Sequence, residues 1–237
     1  MNSCADYCSC NHKYCAKKVS LFTSLSDKDL NKVVNLVTKK SFEKGDIIFS
    51  EGEIFDKLFI INNGSIKVYK YTKDGKEQIL YILKEGDFLG DLNLLKKDVF
   101  KFNAAALEST NMCIIHKDDF DILIKSNPEI SIKVLEYAHD RIASLENLVQ
   151  TLTTKDVEVR LASLLLNLSK TFGFKTDKGI EITLTLTRED MANFIGVTRE
   201  TISRKLSYFQ SQNIVELFEN RIILIKDIAI LKELSQI

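Results

Sequence analysis

Proline occurs once in this chain of 237 residues, at Pro128, and tryptophan does not occur at all. A proline-rich linker or a collagen-like segment is therefore excluded. Net charge is missing too, because 33 Lys+Arg cancel 33 Asp+Glu. No global field advertises nucleic acid or an acidic membrane, although a small basic face fits inside a neutral total. No apolar run reaches the ~18 residues that a membrane span needs. The N-terminus is polar and cysteine-rich rather than basic-then-apolar, so it does not read as a secretory signal. These absences point to a cytoplasmic protein with reduced thiols and no membrane partner. Histidine is scarce as well: His12, His116 and His139 have no pairing that suggests haem ligation. An enzyme or metal module on a cupin-like β-roll would need a His/Glu constellation in the β-region, where His116 stands alone. No enzyme is expected.

What is present is an ordinary globular mixture, 45% hydrophobic and 28% charged, long enough for one large domain or two smaller ones. Ser26 reads as the N-cap of a helix carrying Leu30, Val33, Val34 and Val37 at helical spacing. From about Ser41 to Leu83 the period shortens. Ile47–Phe49, Leu58–Ile61, Ile66–Tyr71 and Ile79–Leu83 are β-type runs, separated by turns at Lys44-Gly45-Asp46, Asn62-Asn63-Gly64 and Lys73-Asp74-Gly75. With further runs at Phe102–Leu107 and Met112–His116, this spacing predicts a β-roll or jelly roll.

After Pro128 the pattern turns helical. Leu135, Ala138, Ile142, Leu145, Val149 and Leu152 alternate spacings of three and four, an a/d seam with no acidic member. Such a seam must be buried, and pairing with a second copy of the chain is the better reading than packing within one chain. Beyond Asp156 the pattern predicts a helix over Val157–Leu168, a strand over Ile180–Leu186, helices near Arg188–Ile195 and Arg199–Gln212, and a hairpin with arms Ile214–Phe218 and Ile222–Ile225.

The two short helices carry most of the functional reading. Thr187 caps the first, with Asp190 reaching back from N3. Gly196 stands where a tight turn wants a residue tolerant of positive φ. Thr198 caps the second helix, whose inner face is Ile202 and Leu206, with Ile195 and Val197 just before it. Its outer face carries Arg199, Glu200, Ser203 and Arg204. Arginine pairs with guanine O6/N7, glutamate accepts from cytosine N4, and serine bonds either bases or phosphate. The first turns of a recognition helix are where such residues belong, and the hairpin that follows fits a wing.

From about Leu21 to the C-terminus the chain resembles the CRP/FNR family of bacterial transcription regulators. Thr198-Arg199-Glu200-Thr201-Ile202-Ser203-Arg204 is similar to that family's recognition helix. The resemblance implies an α+β fold: a cyclic-nucleotide-binding-type β-roll, a long dimerisation helix and a C-terminal winged helix-turn-helix. The division expected is a cysteine-rich segment over 1–20, a sensor β-roll over 21–127, the dimerisation helix over 128–154 and the DNA-binding domain over 155–237. By resemblance, Glu200, Ser203 and Arg204 match FNR-type reading residues for half-sites of the TTGAT kind, whereas Arg199 matches a CRP-type contact. A homodimer on an inverted-repeat duplex, with RNA polymerase as a further partner, is implied.

Cyclic-nucleotide members hold their ligand with a Gly-Glu pair and an Arg-Ser/Thr-Ala triplet. Here the matching stretches read Gly90-Asp91 and Val99-Phe100-Lys101-Phe102-Asn103-Ala104, and no arginine precedes Arg141. Lys101 supplies a point charge but not a bidentate fork, so cyclic AMP is not expected. Five cysteines are present, four of them crowded at Cys4, Cys8, Cys10 and Cys15, with Cys113 far along the chain. FNR-type sensors join an N-terminal cysteine group and one later cysteine around an oxygen-labile [4Fe–4S] cluster, which takes four thiolates. The spacings here are shorter than in the best-known members. The set expected is Cys8, Cys10, Cys15 and Cys113, with Cys4 spare or exchanging for Cys8 or Cys10. A thiol–disulfide switch and a zinc site remain open as alternative uses of the same cysteines.

Overall fold

The computed structural model describes residues 19–54, 56–90, 99–218 and 221–235. Cys4, Cys8, Cys10, Cys15 and Asp91 lie outside them. The chain divides into two units, one of residues 1–68 with 82–143, the other of residues 69–81 with 144–237.

In the first unit a 3-10 turn, Ser20–Phe22, buries Leu21 and Phe22. Helix α1 (Asp27–Leu36) follows, and the Ser26 hydroxyl accepts from the Asp29 amide as its cap. Val37, placed in the helix by spacing, is instead extended and leads directly into a strand. Eight strands follow, with residues 69–81 of β4 and β5 counted in the second unit: β1 (Thr38–Phe42), β2 (Ile47–Phe49), β3 (Lys57–Asn63), β4 (Ser65–Tyr71), β5 (Glu77–Lys84), β6 (Phe88–Leu89), β7 (Asn103–Ala106) and β8 (Thr110–His116). They form two four-stranded sheets, β1-β8-β3-β6 and β2-β7-β4-β5. The expected roll is present, with β1 as an additional polar strand whose outward residues hid it. Buried Leu58, Ile61, Ile66, Val68, Phe88 and Ile115 supply much of the core. Phe49 lies face to face on Phe100, and Phe59 and Phe102 tilt against Phe49.

Helix α2 (Lys117–Ser126), which the sequence pattern did not reveal, buries Phe120 and Leu123. Helix α3 (Glu129–Thr153) begins right after Pro128, whose missing N–H and fixed φ suit a helix start. Ile130, Val134 and Ala138 form its buried stripe. Tyr137 stacks on Phe88 with centroids 4.0 Å apart, and Arg141 donates to the Phe88 carbonyl at 3.1 Å.

The second unit contains α4 (Val157–Phe172), β9 (Gly173–Thr176), β10 (Gly179–Thr183), α5 (Arg188–Ile195), α6 (Arg199–Ser211), β11 (Val215–Phe218), β12 (Ile222–Ile225) and α7 (Ile228–Ser235). The four strands form an antiparallel sheet in the order β11-β12-β10-β9. Ile182 and Ile223 pair across β10 and β12 and are fully buried. α4 contributes Leu161, Ala162, Leu164, Leu165 and Leu168 to the same core.

Candidate nucleic-acid interface

The turn between α5 and α6 is built from three local devices. Thr187 and Asp190 close a capping box: the Thr187 hydroxyl accepts from the Asp190 amide at 3.1 Å, and Asp190 Oδ2 accepts from the Thr187 amide at 2.9 Å. Gly196 takes the left-handed conformation at φ 68°, and the amides of Gly196 and Val197 both reach the Ala192 carbonyl. That is the hydrogen-bonding of a glycine-terminated helix end. The Thr198 hydroxyl then accepts from the Thr201 amide and starts α6. Thr187→Ala removes one half of the box and is expected to cost about 0.5–2 kcal/mol of unfolding free energy, read by urea denaturation.

Burial divides α6 cleanly. Ile202, Leu206 and Phe209 are buried, whereas Arg199, Glu200, Ser203 and Arg204 are exposed. These last four occupy the first two turns, so they project together from the N-terminal half of the helix. Their neighbour Lys205 is committed elsewhere, with Nζ 2.6 Å from Glu158 Oε1 on α4. Arg188, the first residue of α5, is half-buried, and burial holds its guanidinium below its usual range. Thr187 and Thr198 are exposed at the two helix N-termini, where free backbone N–H groups favour anions. Beside these helices β11 and β12 pair from Val215↔Ile225 to Phe218↔Ile222, giving the expected two-stranded wing.

Two further side chains act on this turn from far away in sequence. Arg160 on α4 donates to the Ile195 carbonyl at 2.7 Å, and Gln78 on β5 donates to the Phe194 carbonyl at 3.0 Å. No local pattern announces contacts across such separations.

In the first unit, Cys113 is half-buried on β8, facing Lys39 on β1 and Ile60 on β3. Its neighbours Ile114 and His116 point to the opposite face, where they border a cavity of about 290 Å³ walled by Phe49, Phe59 and Phe100, with Lys40 and Lys57 also in its lining. Among the described residues no three His, Cys, Asp or Glu side chains converge as a metal site. A cluster on Cys113 would therefore have to draw on the N-terminal cysteines. Their tether is short in sequence: Cys15 lies four residues before Val19, which is buried in the first unit. A half-buried thiol and a thiolate-rich segment suit the soft-donor set that iron–sulfur chemistry takes.

The predicted dimer seam is split by the fold. Leu135, Ile142 and Val149 are 63%, 54% and 62% exposed, Ala138 is buried at 7%, and Leu145 and Leu152 are half-buried. Among the described residues no helix is long and apolar enough to cross a membrane.

A family model described as the cyclic nucleotide-binding domain matches residues 39–127, and one described as the Crp-like helix-turn-helix domain matches residues 159–234. Electron transport regulator A of Shewanella oneidensis is 31% identical over 94% of this chain and 88% of its own. The fumarate and nitrate reduction regulatory protein of Yersinia pestis is 33% identical over 81% of this chain and 77% of its own. The chain belongs to the CRP/FNR family of transcription regulators. Solved structures agree in fold: a CooA mutant from Carboxydothermus hydrogenoformans superposes with a TM-score of 0.75 at 25% identity, covering 91% of this chain and 94% of that one. FixK2 from Bradyrhizobium japonicum shares the fold, with a TM-score of 0.75 at 22% identity over 84% of this chain and 97% of its own. This CRP/FNR regulator is thus a DNA-binding transcription regulator rather than an enzyme, with α5 and α6 as its helix-turn-helix.

Proposed function

We propose that this regulator acts as a homodimer, reads an inverted-repeat duplex through α6 of each copy, and senses oxygen, redox state or nitric oxide through a [4Fe–4S] cluster on Cys8, Cys10, Cys15 and Cys113. Cys4 is the exchangeable fifth thiolate. The observation that carries the DNA reading is the joint exposure of Arg199, Glu200, Ser203 and Arg204 on the first two turns of α6. Arg204 pairs with guanine O6/N7, Glu200 accepts from cytosine N4, and Ser203 bonds a base edge or phosphate. Arg199 adds a second fork, while Thr187 and Thr198 lie where phosphates approach helix N-termini. RNA polymerase is the partner of the DNA-bound form. The division into 1–20, 21–127, 128–154 and 155–237 gives a cysteine-rich segment, a β-roll sensor domain, a dimerisation helix and a DNA-binding domain in succession.

The sensing reading is supported by cysteine density at the N-terminus, by the half-buried Cys113, and by a relative whose name refers to fumarate and nitrate reduction. When bound, the cluster supplies a redox-labile tie between the N-terminal segment and β8. Cys113 would hold it from a paired strand, and the N-terminal thiolates would supply the remaining ligands. Loss of such a tie would release the N-terminal segment from β8, a local change of the kind that drives redox switches.

Two measurements test the reading. Arg204→Ala is expected to weaken specific binding by about 1–3 kcal/mol and to relax preference at one guanine, with random DNA bound as before. Equal loss on both duplexes counts against base readout by Arg204. Protein purified without air is expected to carry roughly four irons and four acid-labile sulfides per chain, with visible absorbance that bleaches in air. Colourless protein with thiols that oxidise reversibly in pairs would assign the cysteines to a disulfide switch instead, and bound zinc would assign them to a structural site.

A further inference from the structure

The last carbonyls of a helix have no donor within the helix. In α5 the Ala192 carbonyl is served by the amides of Gly196 and Val197. The Phe194 and Ile195 carbonyls instead take side-chain donors, Gln78 Nε2 at 3.0 Å and Arg160 at 2.7 Å. The same Gln78 nitrogen also donates to the Ile79 carbonyl at 3.0 Å, which fixes its orientation on β5. A Cβ placed on Gly196 would lie 3.5 Å from Leu152 Cδ2, 3.8 Å from Arg160 and 3.9 Å from Gln78 Oε1. The end of α3, α4 and β5 therefore all approach Gly196, the left-handed residue that precedes α6.

These contacts differ in origin. Arg160 lies within the helical scaffold of the winged helix, and its charge complements the negative end of α5. Gln78 lies on the ribbon of residues 69–81, which belongs to the same unit, but its strands run on: β4 begins at Ser65 and β5 ends at Lys84, both in the other unit. The turn is already complete without Gln78, through the capping box, Gly196 and the Thr198 cap. Its hydrogen bond is thus free to serve aim rather than folding.

We propose that Gln78 is a positioning residue for DNA recognition: its amide, held on the β4–β5 ribbon, grips the Phe194 carbonyl and sets the angle at which α6 leaves the turn. This rests on α6 being the recognition helix.

The test uses full-length protein handled without air, a duplex selected by the wild-type protein from a randomised pool, and a scrambled duplex. Gln78→Met keeps the volume and removes the donor, and Gln78→Lys restores a donor. Gln78→Met is expected to keep its Tm within about 2 °C, to bind the selected duplex five- to tenfold more weakly, a change of about 1–1.4 kcal/mol, and to bind the scrambled duplex unchanged. Gln78→Lys is expected within about twofold of wild type on both. The proposal is overturned by selected-duplex binding of Gln78→Met within twofold of wild type, by equal loss on both duplexes, or by failure of that variant to fold, since the bond would then serve the fold. Wild-type protein that selects no sequence would instead sink the recognition-helix reading.

Discussion

Ile142→Asp is expected to turn the proposed homodimer into a monomer and to lower affinity for its proposed inverted-repeat duplex at least a hundredfold. Helix α3 has two apolar faces with different destinations. Ile130, Val134 and Ala138 are buried in the chain's own fold, beside the Tyr137–Phe88 stack. Leu135, Ile142 and Val149, one heptad apart, are more than half exposed. Burying each against a symmetry mate gains about 1.5–3 kcal/mol of transfer free energy per side chain, and heptad spacing lets the stripes of two parallel helices meet. An aspartate in the middle of that stripe faces its own copy, so two carboxylates are desolvated side by side. The effect on DNA is larger than the effect on one contact. A dimer binds its second half-site at an effective concentration near millimolar, and a monomer loses that advantage altogether. Sedimentation equilibrium reads the assembly and fluorescence anisotropy reads binding to full and half sites. A variant that stays dimeric, or that binds the full site as wild type does, would place the dimer contact elsewhere.

The seam also shows what periodicity encodes and what it leaves open. Spacings of three and four identify an apolar stripe but not its partner, so Ala138 and Leu135 entered the same list although one is buried in its own chain and the other exposed. The helix-turn-helix was legible because its grammar is local: Thr187 with Asp190, Gly196 and Thr198 each act within a turn of their own position. Helix α5 consequently begins and ends where the sequence places it. Strand β1 was not legible, since only Phe42 of Thr38-Lys39-Lys40-Ser41-Phe42 is buried and its pairing with β8 is a backbone matter. Helices α2 and α7 are short, with few buried residues each, too little signal for a period to emerge. Gln78 and Arg160 were invisible for a different reason: a side chain that serves a distant carbonyl carries no mark in its own neighbourhood.

Cys113→Ser is expected to abolish the proposed iron–sulfur cluster, taking iron and acid-labile sulfide from roughly four each per chain to near zero. Cys4→Ser should leave most of both. The asymmetry follows from where the cysteines fall in the sequence. Cys113 is held mid-strand by pairing with β1 and β3, and it is the one cysteine of the chain outside the N-terminal group. Among Cys4, Cys8, Cys10 and Cys15, by contrast, four thiols compete for three corners, and one can be lost. Serine preserves the size of the half-buried side chain, so the β-roll should remain folded. Circular dichroism and binding to random DNA should then match wild type while the visible absorbance is gone. A full cluster in Cys113→Ser would mean that the four N-terminal thiolates hold it alone. The signal would then have no covalent hold on β8, and the β-roll would have to sense the cluster through contact rather than through a bond.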